Sequence, residues 1–316
     1  MKTAVRLLLA IGICTMSIRA IHSELLKKGS VPAHHAILTA KAGAAKNPAP
    51  QPRKAEPAKP QVADSAPRNS QAVGLAASAL NALVGHLPIA DATVKGDASY
   101  IAGSDRETGT ATLEAHAGYE SRTVLDLTDG KRSEVRNGSG APPQRKTAGP
   151  DGNWHAAPLH NCWTDETWFF PALMLQSALS DPQISFAYVD QETKNGISAQ
   201  HIQISRVVPG QAPKVIALIQ RLSQVDFYLD PTTGLPVAID FNTHPEKNAA
   251  INLPVEIQFS GWHPVNGIEL PAKIQKFLQG SLTLDLSNLT ISVNTGVPQS
   301  DFTMTSTISS SQGGRS

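Results

Sequence analysis

The spacing of apolar residues changes along the chain, and the change predicts a helix followed by strands. Helical spacing over 73–86 predicts a short amphipathic helix, which Gly85 and Pro88 are expected to end. From Ala92 onward the apolar positions recur at every second residue, the period of a half-buried strand. The helix prediction depends on Leu75, Ala79, Leu80, Leu83 and Val84.

Turn signals separate the alternating segments. Asp129-Gly130 and Asn266-Gly267 are typical of tight hairpins, and 230–234 (DPTTG) supplies the Pro and Gly of another turn. Residues 137–153 are predicted to form a loop. Inward strand positions are expected at Ala111, Leu113 and Ala115, at Val225, Phe227 and Leu229, at Val237, Ile239 and Phe241, and at Val255, Ile257 and Phe259.

Two segments depart from simple alternation. Leu282, Leu284 and Leu286 alternate, but the phase then slips by one residue at Ser287-Asn288, which indicates either a turn or a β-bulge. The dense apolar run within 167–180 predicts a buried or lid helix, capped by Thr167 and carrying Pro171 in its first turn.

Consecutive strands joined by short turns predict an antiparallel meander with one apolar face. We therefore expect a mainly β (α+β) fold, with a curved antiparallel sheet and a few helices over its concave face. The folded domain is predicted over 71–304, followed by a disordered tail at 305–316 that is rich in Ser, Thr and Gly.

The N-terminus has the layout of a secretory signal peptide over 1–23. Lys2 and Arg6 precede a short apolar run, and the small residues Ala20 and Ser23 mark the expected cleavage region. Ile13 precedes Cys14 where lipoprotein signals carry a small residue, which disfavours lipidation. The protein is expected in the periplasm or secreted, or tethered to a membrane if the signal stays uncleaved or Cys14 is lipidated.

Residues 24–70 are rich in Pro, Ala and Lys, and this composition predicts a disordered, semi-rigid spacer. Basic residues outnumber acidic residues in this segment, so weak contact with anionic envelope polymers is an alternative role. The whole chain has 27 basic and 26 acidic residues and only 5% aromatics, which argues against a nucleic-acid-binding protein.

The segment around Cys162 carries the most enzyme-like side chains. A thiolate beside a histidine is the basis of a cysteine nucleophile. His155 and His160 lie close to Cys162 in sequence, and Asp165 and Glu166 follow it. No CxxC or HExxH spacing accompanies them, so Cys162 is interpreted as a small buried residue, and a Cys162 hydrolase remains an alternative. With Cys14 removed, Cys162 has no partner for an internal disulfide.

No catalytic constellation, metal set or cofactor motif is recognised in the sequence. GxSxG, phosphate-loop and dinucleotide patterns are absent, so no cofactor is expected. Asp226, Asp230 and Asp240 lie beside a tight turn, and we expect them to be solvated, with Asp226 and Asp240 on outward strand positions.

An apolar cluster gives the candidate ligand site. Two interpretations are open: the cluster packs the core, or it lines a pocket for acyl chains and a helix gates entry to that pocket. The candidate lining residues are Trp168, Phe169, Phe170, Leu173, Phe227, Phe241 and Phe259.

The pattern over 73–304 resembles the periplasmic lipoprotein-carrier superfamily, the outer-membrane lipoprotein-sorting proteins and their relatives. The resemblance is carried by the helix end LNAL (80–83), the run FYLDPTTGLP (227–236), the step GIELP (267–271) and the ending 294–302. It implies an unclosed antiparallel barrel whose helices cover an apolar cavity that holds lipid chains.

These observations favour a non-enzymatic, monomeric carrier that binds a lipid or an acylated lipoprotein. An envelope scaffold or sensor acting through protein contacts at an exposed strand edge is the first alternative. The Cys162 hydrolase is the second.

Overall fold

A computed structural model describes residues 65–117, 119–138, 142–164 and 167–303. The signal peptide with Ala20 and Ser23, Cys14, most of the predicted linker, Asp165, Glu166 and the predicted tail lie outside the described residues and stay predictions.

The first helix, α1 (Ser70–Val84), begins where a side chain can cap it. The Asn69 side chain accepts a hydrogen bond from the Ala72 backbone N–H at 3.0 Å. Gly85 ends the helix as predicted, with φ of 60° and its N–H bonded to the Asn81 carbonyl at 2.8 Å. The helix therefore starts three residues before the predicted 73.

Within the described residues thirteen strands form one antiparallel sheet in the order β6-β5-β4-β3-β2-β1-β15-β14-β11-β10-β9-β8-β7. The small hairpin of β12 and β13 stands apart from it. The strands are β1 (Asp91–Ala102), β2 (Asp105–His116), β3 (Glu120–Leu127), β4 (Gly130–Asn137), β5 (Gln144–Ala148), β6 (Trp154–Ala156), β7 (Ile184–Lys194), β8 (Ile197–Arg206), β9 (Val225–Leu229), β10 (Pro236–Thr243), β11 (Leu253–Ser260), β12 (His263–Val265), β13 (Ile268–Leu270), β14 (Lys273–Leu278) and β15 (Ser281–Val293).

Two meanders make up this sheet, and long-range pairing joins them. Strands β1 to β6 form one half of the sheet, and β7 to β11, β14 and β15 form the other half. The halves join where β1 pairs with β15, with Val94 facing Ile291. The mainly β, unclosed antiparallel fold is confirmed. The seam between β1 and β15 is an element that local turn signals did not predict.

The phase slip at Ser287-Asn288 is a β-bulge inside one long strand, and the alternative of a turn is wrong. The register between β1 and β15 shifts between Lys95 and Asp97, and Asn288 has φ of 51°. On β1, Gly96 faces the bulge. A Cβ there would lie 2.6 Å from both the Leu289 Cδ2 and the Ser287 carbonyl oxygen, so the bulge requires glycine opposite it.

The second helix, α2 (Pro171–Ser180), begins later than predicted and lacks the Thr167 cap. Phe170 precedes a proline and has non-helical backbone (φ −136°, ψ 81°), because the proline ring disfavours helical backbone at the residue before it. The Thr167 carbonyl instead accepts the Phe170 N–H in a turn before the helix. Residues on every side of α2 are buried, as expected for a core helix.

Two further elements differ from the sequence prediction. Part of the predicted loop 137–153 is β5, which pairs with β4 and carries the charged row in which Arg136 faces Arg145. A strand with so few apolar residues gives no alternation to detect. The third helix, α3 (Pro213–Leu222), was not predicted, and Leu222 is its buried residue.

The core lies between α1, α2 and one face of the sheet, called here the inner face. Small α1 residues such as Ala76 and Ala79 pack with α2 and with strand residues such as Leu113, Ile202 and Phe227. Across the ranges that the structure covers, no helix has both the length and the apolar character that crossing a bilayer requires.

Candidate functional site

An open cavity of about 490 Å³ lies on the inner face of the sheet. Strands from both meanders contribute to it, together with the turn before α2. Its lining residues are Tyr100, Thr123, Leu125, Arg132, Ser133, Glu134, Arg145, Thr147, Ala148, Gly149, Trp168, Phe241, Thr243, Val255, Lys276, Leu278, Thr283 and Leu284.

One side of the cavity is hydrophobic because strand register aligns apolar side chains there. Phe241 faces Val255, and Val255 faces Leu278 across β10, β11 and β14. We call the large aliphatic side chains of the lining, together with Trp168 and Phe241, the apolar wall. They are Leu125, Trp168, Phe241, Val255, Leu278 and Leu284.

The other side is polar and charged, because β4 and β5 place long side chains on the same inner face. Glu134 faces Thr123 on β3 and Thr147 on β5, and Thr123 in turn faces the core residue Leu113. This register shows that Glu134 lies on the inner face, where a core residue would normally stand.

Glu134 is held by two guanidinium groups. The Arg136 Nε donates to it at 2.8 Å, and the Arg145 Nε donates at 2.9 Å. Arg136 is buried and also donates to the Thr164 carbonyl at 2.6 Å. Burial by itself would raise the pKa of the Glu134 carboxyl, but Arg145, Arg136 and Lys276 hold it well below its ordinary value. Glu134 is therefore a carboxylate at neutral pH.

Two more cations complete the charged side. Arg132 donates to Glu107, a bond that raises the Arg132 pKa, and its guanidinium carbon lies 4.6 Å from the Tyr100 ring centroid. Lys276 reaches the inner face from β14, and its Nζ lies 4.7 Å from the Trp168 ring centroid. We call Arg132, Arg145 and Lys276 the cationic wall.

The seven predicted lining residues divide into two groups. Trp168 and Phe241 line the cavity. The other five are buried members of the core, and the structure does not place them on the cavity lining: Phe169, Phe170, Leu173, Phe227 and Phe259.

Sequence reasoning missed the cationic wall, although one of its members left a signal. Lys276 lies two residues after Ile274 and two before Leu278, so it is in phase with inward positions. An inward lysine in an otherwise apolar row is costly to bury without a partner and indicates a site. Arg132 and Arg145 gave no such signal, since β4 and β5 lack apolar alternation.

The expectation that Asp226 is solvated is wrong, while Asp240 is partly exposed. They face each other on the outer surface of β9 and β10, as alternation predicts. Neighbouring side chains cover Asp226, which is 9% exposed, and leave the Asp240 side chain 29% exposed. Asp230 does cap its turn, accepting the Thr232 N–H at 2.8 Å. We call these two carboxylates and the side chains around them the outer polar cluster: Glu192, Lys194, His201, Asp226, Tyr228 and Asp240.

Hydrogen bonds organise the outer polar cluster around His201. Its Nε2 lies 2.8 Å from the Asp226 carboxylate, its Nδ1 is bonded to Glu192, and its ring stacks on Tyr228 at 4.5 Å. Burial would lower the His201 pKa, but the bonds to Asp226 and Glu192 raise it above its ordinary value. Lys194 donates to Asp240 at 2.6 Å.

The pKa values of Asp226 and Asp240 are shifted in opposite directions. Burial would raise the pKa of Asp226, but hydrogen bonds from His201, Gln224 and Gln203 hold it below its ordinary value. Burial raises the pKa of Asp240 and of Tyr228. The arrangement is a set of ion pairs and hydrogen bonds on the outer face, away from the cavity.

Cys162 is buried, and its Sγ lies 3.4 Å from the Pro158 carbonyl oxygen, which it contacts as a thiol donor. The nearby His160 contacts the Pro245 carbonyl at 3.1 Å through Nε2. Both contacts are to backbone carbonyls, as in a structural segment. In the part of the chain that the structure describes, no three or more His, Cys, Asp or Glu side chains are grouped to hold a metal ion.

The fold and cavity together define a class: an unclosed antiparallel sheet with helices on one face and an open cavity beside them. No protein-family model matches the chain, and no curated protein matches it in sequence.

The chain is similar to several solved structures. A putative outer membrane lipoprotein-sorting protein domain from Vibrio parahaemolyticus is 12% identical, with a TM-score of 0.45, over 73% of this chain and 96% of that one. A LolA superfamily protein from Nitrosomonas europaea is 10% identical, with a TM-score of 0.44, over 73% and 97%. A DUF1329 family protein from Desulfovibrio piger is 12% identical, with a TM-score of 0.44, over 74% and 96%. The resemblance expected from the sequence is confirmed as a likeness to these structures, while the fold assignment rests on strand order and register.

Proposed function

We propose that this protein is a non-enzymatic, monomeric carrier of the cell envelope that binds the acyl part of a lipid or lipoprotein in the inner-face cavity. The observation that supports this proposal is the open cavity of about 490 Å³ beside the apolar wall. Its size falls within the range of roughly 300–1,000 Å³ in which sites for single small ligands are found.

The free energy of binding comes from removing an acyl chain from water. Each methylene transferred to an apolar site contributes about 0.8 kcal/mol. Trp168, Phe241 and Leu278 offer such a surface, and strand register rather than a loop positions Phe241 and Leu278. Because the cavity is open to solvent, a chain has a route into it without any strand being displaced.

The proposed place of action follows from the N-terminal sequence pattern. The signal-like stretch 1–23 supports export, and the Pro/Ala/Lys-rich stretch 24–70 supports a spacer that touches anionic envelope polymers weakly.

Native mass spectrometry of the full chain, produced in a bacterium and purified without detergent, tests the carrier function. We expect excess mass that organic extraction removes and identifies as lipid. Thr147 lines the cavity, so Thr147→Trp should fill it and lower lipid occupancy at least threefold. Thr112 alternates with the inward Ala111 and Leu113, so Thr112→Trp on the outer face is the matched control and should leave occupancy unchanged.

A measured mass equal to that of the protein alone, together with no uptake of added phospholipid or acylated peptide, would contradict the carrier function. The scaffold alternative would then gain support, because β6 and β7 lie at the two ends of the strand order and Val189 on β7 is 48% exposed.

A further inference from the structure

Three cationic side chains line the cavity: Arg132, Arg145 and Lys276. Among the described residues, Glu134 lines it with them, and all four side chains are half-buried. Guanidinium and ammonium groups donate hydrogen bonds and accept none, and both kinds bind phosphate and carboxylate oxygens. A cavity lined by three such groups therefore favours a ligand that carries an anionic group.

The cations are held in place by the protein, so their geometry exists before any ligand binds. Two donors of Arg145, Nε and Nη2, are fixed on Glu134. Arg132 is fixed on Glu107 by Nη2, and its Nε is buried without a hydrogen-bond partner in the described ranges. A guanidinium has five N–H donors, so these ion pairs leave hydrogen-bonding capacity at both residues.

Lys276 lies where the two walls meet. Its Nζ is 4.7 Å from the Trp168 ring centroid and 5.8 Å from that of Phe241, and it contributes to the low pKa of Glu134 across the cavity. A ligand that touches Lys276 with a charged group therefore has the apolar wall beside its next atoms. This juxtaposition suits a molecule with an anionic end and an apolar chain.

We propose that the cavity selects anionic amphiphiles, with the cationic wall of Arg132, Arg145 and Lys276 taking a phosphate or carboxylate head group and the apolar wall taking the chain. The inference rests on the proposed lipid-binding function and adds the ligand class. Arginine binds planar carboxylate or phosphate oxygens in pairs, while lysine acts as a point charge. Because the site is partly buried, salt weakens it less than it weakens surface charge pairs.

The test compares amphiphiles that share one chain and differ in the head group. Dodecyl phosphate, dodecanoate and dodecanol are titrated into the full-chain protein at pH 7 below their micelle concentrations, with inorganic phosphate as the chainless probe. We expect dodecyl phosphate and dodecanoate to bind at least about tenfold more tightly than dodecanol, the factor that one charge-assisted hydrogen bond supplies. Inorganic phosphate should bind at least about a hundredfold more weakly than dodecyl phosphate, because it lacks the buried chain.

Two substitutions assign the preference to the cationic wall. Lys276→Met and Arg145→Met keep an unbranched apolar stem and remove the charge, so each should lower the preference for dodecyl phosphate over dodecanol at least about threefold. Lys273→Met is the matched control, because Lys273 is on the same strand but pairs with Asp285 and is 41% exposed. Circular dichroism identifies any variant that fails to fold. If one of the two wall variants does not fold, the binding preference is measured in the other.

The possible results separate this inference from the carrier function. Equal binding of dodecanol and dodecyl phosphate would overturn the anionic preference and leave the carrier function standing. A preference that survives in folded Lys276→Met and Arg145→Met would also overturn the assignment, as would inorganic phosphate that binds as tightly as dodecyl phosphate. Absence of binding by all three amphiphiles would contradict the carrier function itself.

Discussion

At the scale of single residues, His201 shows how a buried histidine can be held in its charged form. Both ring nitrogens contact carboxylates, Nε2 at 2.8 Å from Asp226 and Nδ1 on Glu192. Only the protonated ring can donate from both nitrogens. The groups that surround it, including Lys194 and Asp240, form one network on the outer face.

This arrangement predicts a pH-dependent contribution to stability. The His201 pKa is raised on folding, so its stabilising effect is complete below the unfolded value of about 6.5 and is lost as pH rises through the folded value. The Asp226 pKa is lowered, so its effect is present above about 3.9 and is lost as pH falls through the folded value. We expect both contributions together between about pH 5 and 6.

His201→Gln tests this by denaturant unfolding at pH 5.5 and pH 9. The variant keeps a neutral hydrogen-bonding side chain, so the free energy of unfolding should fall by about 1.5–3 kcal/mol at pH 5.5 and by less at pH 9. His263 is exposed and contacts the Gly261 carbonyl, so His263→Gln serves as the control. The same loss at both pH values would show that His201 is not held as a cation.

At the scale of elements, the bulge in β15 depends on two residues on neighbouring strands, Asn288 and Gly96. Asn288 has φ of 51° and donates to the Asp97 carboxylate at 2.6 Å, while Gly96 leaves room for Leu289 and the Ser287 carbonyl. Only Gly, and occasionally Asn or Asp, adopts this left-handed backbone at low cost.

Substitutions at the bulge should have unequal effects on stability. Gly96→Ala places a methyl group 2.6 Å from a backbone oxygen, and we expect a loss of about 2–4 kcal/mol in the free energy of unfolding. Asn288→Gly keeps the backbone conformation and should cost less than about 1 kcal/mol, whereas Asn288→Val should cost about 1–2 kcal/mol. Urea unfolding measures all three, and equal losses for Asn288→Gly and Asn288→Val would contradict the role of backbone conformation.

Elements also show where local patterns mislead. Thr167 looked like a helix cap, but Pro171 determines the start of α2 because it constrains the backbone of Phe170. β5 looked like a loop because its residues carry charge where strands usually carry apolar side chains. Both differences lie beside the cavity, where Trp168, Arg145 and Thr147 contribute to the lining.

At the scale of the whole molecule, the two meanders meet along β1 and β15, and both supply cavity residues. Arg132 and Arg145 come from the first meander, while Phe241 and Lys276 come from the second. A ligand in the cavity therefore contacts both halves, and its binding favours the assembled sheet over the unfolded chain.

Ligand binding should accordingly raise the melting temperature of the whole domain. A ligand present at 100 times its Kd stabilises the folded state by about 2.7 kcal/mol. We expect dodecyl phosphate to raise the melting temperature in a concentration-dependent way, and Thr147→Trp to reduce that rise while Thr112→Trp keeps it. Differential scanning calorimetry provides the measurement. An equal rise in both variants would place the ligand outside the cavity.

The sequence by itself determined the elements whose signals are local. Alternation and turn residues predicted β9, β10 and β11, and Gly85 predicted the end of α1, because period and backbone preference are properties of a few neighbouring residues. Trp168 and Phe241 were among the predicted lining residues for the same reason, since both belong to conspicuous apolar runs.

The tertiary structure alone decided the features that depend on pairing between distant residues. The β1–β15 seam, the burial of Asp226, and the meeting of Arg132 and Arg145 with Lys276 each join segments far apart in the chain. Alternation assigns a residue to a face of its own strand, but it does not say which strand will lie beside it. The charge of the cavity is therefore a property of the assembled sheet, which brings together cations from three strands.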